Sequence, residues 1–284
     1  MSIKVTSKDV IWNYLGIFMT MGSNFIMLPF MMYFLNSEIL GLWYVFLSIG
    51  GIVNLFDFGF SPTFARNVAY SWSGATNLSK TDVVFTEKTE PNFELLNRVI
   101  HTSKRIYLVI SLIAAFVLLS IGTFYINSIS KGLSEDQYLL AWLIYCVAVF
   151  FNLYYGYYTT LLRGVGAISK INIANIISRT IQILISILLL YFGLGLIAVS
   201  SAYLFNGLIF RGLSKKYFYS HNGMIENLEK SPRTTNAGEL KNTFVLIWHN
   251  AWRDGIVSLS TYLANQATVI ISSIFLTLSE TGVY

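Results

Sequence analysis

Hydrophobic positions gather into seven long stretches separated by polar segments: 10–35, 39–60, 106–129, 137–162, 171–192, 194–210 and 243–278. A helix needs about 20 residues to cross a bilayer, within a range of about 17–25. All seven stretches meet that length, 194–210 at its lower bound and 243–278 running past it. Open strand pairs cannot persist in lipid. No stretch alternates every second residue over about ten residues, as a barrel strand would. The pattern therefore predicts seven membrane-spanning helices. The first is no cleaved signal: it is too long, and it runs through Pro29 to the polar turn Asn36–Glu38 without an A-x-A site.

Composition agrees. The 284 residues are 55% hydrophobic and only 12% charged, whereas a soluble domain is about a quarter charged. A net charge of +5 would otherwise invite a nucleic-acid reading, but here the basic residues mark topology. With the N-terminus inside, sixteen of the 19 Lys and Arg fall on inner segments, as expected of residues that resist translocation. Lys131 alone lies on an outer turn, and Arg179 and Arg253 lie within spans. The inner segments 67–105 and 211–242 are long and basic. Residues 90–100 read as a short surface helix with Pro91 in its first turn. The single cysteine, Cys146, excludes a disulfide framework. His101, His221 and His249 lack metal-ligand spacing, and no P-loop occurs. The expectation is a protein without enzymatic activity, cofactor or metal, energised by an ion gradient, membrane potential or substrate flux.

Polar residues inside spans are costly, about 2.5–3.5 kcal/mol for a charge. Asp57 lies about 27 Å along the second span, near the inner interface; the expectation is a structural carboxylate that pairs with Arg66 or caps the break at Gly59–Pro62. Arg179 and Arg253 lie about halfway across. Asn172, Asn175, Arg179, Gln182 and Ser186 share one face of the fifth span. Asn250, Asp254, Thr261 and Asn265 share another on the seventh, with Arg253 at its edge. Asn13, Thr20 and Asn24 align on the first, and Tyr145, Asn152, Thr159 and Arg163 on the fourth. Two readings stand for these stripes, interhelical hydrogen bonding and cavity lining. Arg179 and Arg253 have no carboxylate at i±3 or i±4, and a guanidinium fork suits phosphate oxygens. Both are therefore expected to face a cavity, oriented by Asp254, Asn24, Asn175 and Gln182. Pro29 is expected to kink the first helix, and Gly41 to admit a close backbone approach. Trp12, Tyr33, Trp43, Tyr44 and Tyr138, and the cluster Tyr154, Tyr155, Tyr157 and Tyr158, read as interfacial belts.

The turn after the first span, Ser37-Glu38…Gly41-Leu42-Trp43, recurs as Ser279-Glu280…Gly282-Val283-Tyr284 after the seventh, which implies a parallel repeat of six helices. The expectation is an all-α polytopic protein with a bundle over 1–242 and, in 243–284, the first helix of a truncated second bundle. Leu28-Pro29, the turn Leu35–Leu42, Asp57-Phe58-Gly59-Phe60-Ser61 with Arg66, and Leu162-Arg163-Gly164 carry a resemblance. The chain resembles the N-terminal part of the polysaccharide (O-antigen) flippases of the multidrug/oligosaccharidyl-lipid/polysaccharide exporter superfamily. What the resemblance implies is two six-helix bundles in the bacterial inner membrane, moving undecaprenyl-diphosphate-linked oligosaccharide by alternating access. Membrane lipids and other polysaccharide-assembly proteins are the implied partners, and nucleic acid is not. A cation-coupled antiporter, a membrane-embedded polysaccharide enzyme and an inactive half-transporter are the alternatives.

Overall fold

The structure, a computed structural model of the chain, describes residues 7–78, 90–130, 133, 135–231 and 237–275, with side chains in the last helix as far as Thr261. Every regular element among them is a helix. In chain order these are α1 (Ser7–Phe34), α2 (Ser37–Val53), α3 (Phe60–Trp72), α4 (Phe93–Val117), α5 (Thr123–Ile129), α6 (Glu135–Tyr154), α7 (Tyr157–Gly164), α8 (Ile168–Tyr191), α9 (Gly195–Tyr219), α10 (Met224–Lys230) and α11 (Ala237–Phe275). Among the described residues, six helical stretches are long and apolar enough to cross a membrane: 10–34, 37–57, 93–129, 138–164, 168–191 and 195–219. They coincide with the first six expected spans. The seventh falls on α11, and its far end, with the second copy of the repeat, lies outside the described residues.

Large apolar side chains cover the outer surface of the bundle. Phe25 is 78% exposed, Phe124 77% and Tyr33 83%. Water would not tolerate so continuous an apolar surface on a monomer; a lipid environment does.

Three expectations are corrected. Residues 93–100 do not form a separate surface helix: they are the first turns of α4, which runs into a π-helical turn at Leu118–Gly122 and on through α5. The apolar face simply continues, with Leu96, Val99, Ile100, Ile106, Tyr107 and Ile110 all buried, and no Gly or Pro interrupts it. Asn92 starts this helix, its side chain accepting from the Leu95 amide at 3.0 Å and donating to the Ala75 carbonyl at 2.9 Å. Secondly, the sixth span does not end at residue 210: α9 continues to Tyr219, and α10 follows it at Met224–Lys230. Thirdly, Gly41 is exposed, with no atom within 4 Å of where a Cβ would stand. The turn is set instead by Asn36, whose Oδ1 accepts from the Ile39 amide at 2.8 Å and caps α2.

The core divides into two layers. One joins Trp43, Phe46, Trp142 and Tyr145 to Leu190 and Val199 from the α8 and α9 halves nearest their connection. The other joins Phe64, Val68, Leu96, Tyr107, Tyr157, Tyr158 and Leu161, with Ile247 and Ala251 of α11. Trp43, Tyr138, Tyr157 and Tyr158 are thus buried in packing contacts and do not belong to an interfacial belt, whereas Tyr33 and Tyr44 are exposed as a belt requires. Pro29 lies within α1, which is assigned as helix without interruption from Ser7 to Phe34.

Candidate functional site

Between the two layers the helices do not close. The second span ends in a 3-10 turn at Asn54–Asp57, then Phe58 and Gly59 take left-handed conformations, φ 36° and 76°, before α3 begins. The fourth span is interrupted at Tyr155–Gly156, between α6 and α7. Both breaks border one cavity of about 240 Å³. Irregular backbone at membrane depth is tolerated only where protein or a watery cavity surrounds it.

Asp57 lines this cavity together with Tyr107, Asn152, Thr159, Tyr203 and Arg211. The Tyr107 hydroxyl donates to Asp57 Oδ1 at 2.6 Å, and the Ser61 amide donates to Oδ2 at 3.2 Å. The second bond satisfies an otherwise orphaned amide in the first turn of α3. The expected capping role is present; the expected pairing with Arg66 is not. Arg66 Nη2 instead reaches Asp254 Oδ2 at 2.6 Å, and Thr63 Oγ1 donates to the same oxygen at 2.7 Å. Arg163, exposed at the end of α7, contributes its positive field to Asp57.

Arg211 supplies the opposite charge. Its Nη1 donates to Thr159 Oγ1 at 3.0 Å, and its buried Nε has no hydrogen-bond partner. Among the described residues the ion pairs are Arg66–Asp254 and Arg98–Glu94. Asp57 and Arg211 therefore share a cavity without neutralising one another at contact distance. Two glycines make room: a Cβ on Gly50 would meet the Tyr145 hydroxyl, and one on Gly207 would stand 2.6 Å from Asn152 Oδ1.

Of the residues expected in a cavity, Arg179 and Gln182 come together: Arg179 Nη1 donates to Gln182 Oε1 at 3.1 Å, while its buried Nε is unpartnered. Arg179 is not among the residues that line the cavity. Asn175 is used otherwise, donating to Thr20 Oγ1 at 2.7 Å and to the Gly16 carbonyl at 3.3 Å. With Asn172 donating to Asn13 Oδ1 at 3.2 Å, it ties α8 to α1, the interhelical reading of that stripe. Asn24 is exposed on α1. Arg253 is exposed on α11, its guanidinium 5.6 Å from the Trp252 ring, whereas Asp254 turns inward to Arg66. The structure does not bring Arg253 together with Arg179.

Two functional features escaped the sequence reading. Arg211 counts as a loop cation only if the sixth span stops at Phe210, whereas α9 continues past it to Tyr219. Gly156, amid four tyrosines, was the available signal for the second helix break. No family model, curated protein or solved structure matches the chain.

Proposed function

We propose that the protein is a membrane translocase for an anionic lipid-linked substrate, undecaprenyl-diphosphate-linked oligosaccharide, in the bacterial inner membrane, with its N-terminus cytoplasmic. One observation carries the reading. Two interrupted helices converge on a cavity that holds an arginine with spare donors. Discontinuous spans are a recurring way to build transport sites, because a broken helix exposes backbone groups and can bend. A guanidinium held on one side by Thr159 keeps its remaining N–H groups for a ligand, and phosphate oxygens match their spacing.

Asp57 favours a second reading. A carboxylate lining a transport cavity, held by a hydroxyl and an amide, is also the chemistry of a coupling-ion site. A cation-coupled antiporter would use Asp57 for the ion and the remaining wall for substrate. Proteoliposomes containing the purified chain separate the two. The first reading expects transfer of a fluorescent diphosphate-linked glycolipid between leaflets, retained without an imposed ion gradient. Uptake of a cationic dye driven by a proton or sodium gradient, abolished by Asp57→Asn and without glycolipid transfer, would instead establish the antiporter.

A further inference from the structure

A second cavity, of about 290 Å³, opens where α4 begins, lined also by α7, the end of α9 and α10. Its wall is three tyrosines with Ile100, Ile225 and Leu228. Tyr157 and Tyr158 are buried with ring centroids 4.3 Å apart, and Tyr219 meets Tyr158 edge-on at 6.1 Å. Polar groups surround this wall: the Asn97 amide, the Lys104 ammonium from α4 and the Glu229 carboxylate from α10. Lys104 and Glu229 are exposed, and neither belongs to an ion pair among the described residues. Lys215 adds positive charge from 6.0 Å over the Tyr158 ring. None of these residues lines the first cavity.

Tyr157 and Tyr158 are buried, which leaves Tyr219 as the accessible ring, and a lipid tail has no use for an amide and two charges of opposite sign beside it. A sugar phosphate uses each of them. One face of a pyranose ring presents C–H groups that pack on an aromatic ring. Its hydroxyls donate to a carboxylate and bond with an amide, and its phosphate pairs with an ammonium. The size is at the lower bound of small-molecule sites, about 300–1,000 Å³, which suits one sugar ring and its phosphate. We infer that this pocket binds a hexose phosphate, free or as the head of a lipid-linked sugar. The inference rests on the translocation reading only for the lipid-linked source.

Isothermal titration of the full chain in detergent with glucose 1-phosphate tests it, with inorganic phosphate as the charge-only control. Saturable binding of the ester, tighter than that of phosphate, is expected. Lys104→Gln and Tyr219→Ala should each weaken it by about tenfold or more, the size of one lost charge-assisted or stacking contact. Lys104 is exposed, so its variant reads binding and not folding. Lys104→Gln and Tyr219→Ala read ester binding at this pocket whether or not the first cavity transfers glycolipid, so that failure here and failure of the translocation reading remain distinct. A farnesyl-diphosphate-linked glucose that binds more tightly than the free ester assigns the lipid-linked source; equal binding assigns the free one. Ester bound no tighter than phosphate would overturn the inference. So would displacement of the ester by phosphatidylglycerol vesicles, or unchanged affinity in both Lys104→Gln and Tyr219→Ala.

Discussion

Gly59 is held at φ 76°, and a Cβ there would collide with the Ala251 carbonyl and the Gly255 amide of α11. A left-handed conformation alone costs an L-residue about 1–2 kcal/mol, and the collision adds to it. Gly59→Ala should therefore lower the thermal unfolding temperature of the purified protein by several degrees. Gly41→Ala is the control. Gly41 is helical, exposed and unobstructed, so the exchange should leave stability unchanged or raise it by about 0.5–1 kcal/mol. Equal losses in the two variants would contradict this account of both positions. At this scale the sequence was partly legible. A glycine after Asp57-Phe58 marks a break, but nothing local says that another helix crosses on it. The cost of a cation within a span singles out Arg179 in the sequence. It was missed for Arg211, because a charge at the end of an apolar run looks solvated until the helix is seen to continue.

Between elements, the ion pair Arg66–Asp254 and the Thr63 hydroxyl bind α3 to α11 directly beside the Gly59–Gly255 crossing. The Arg66 side chain is 44% exposed, so a double-mutant cycle with Arg66→Gln and Asp254→Asn should give a coupling of only about 0.2–1 kcal/mol. A coupling of zero in thermal unfolding would remove this contact as a fastener. At the joint between α9 and α10, His221 lies against Trp72, ring centroids 5.6 Å apart. Burial and then the nearby Lys170 charge lower its pKa below the usual 6.5. The folded protein thus takes up this proton less readily than the unfolded chain. Stability from neutral His221 is present above pH 6.5 and is lost as pH falls through the lower folded value. Unfolding temperature should decline more steeply from pH 7 to 5 in the native protein than in His221→Gln. Parallel declines would count against the assignment. The interruption between α6 and α7 was the element least legible in advance, since an apolar run with one glycine reads as continuous until a cavity is found beside it.

Across the whole molecule, six spans were visible as apolar runs because lipid allows a simple length criterion. The cavity was not, because its walls come from four spans and α3, and its polar residues lie one or two per helix. The stripe on α8 showed clearly in the sequence, yet Asn172 and Asn175 in it bind α1. Sidedness has its own check: cysteines replacing Thr76 and Ile225, both exposed, should be shielded from an impermeant thiol reagent in intact cells. Labelling of either would reverse the proposed topology. The central claim is that the cavity between the two helix breaks receives an anionic headgroup through Arg211. Its most direct test is leaflet-to-leaflet transfer of a diphosphate-linked glycolipid in proteoliposomes carrying equal amounts of native, Arg211→Lys and Arg211→Gln protein. The account predicts that Lys retains part of the activity, as a cation without the fork, and that Gln retains almost none while still folded. Transfer by Arg211→Gln at the native rate would contradict it.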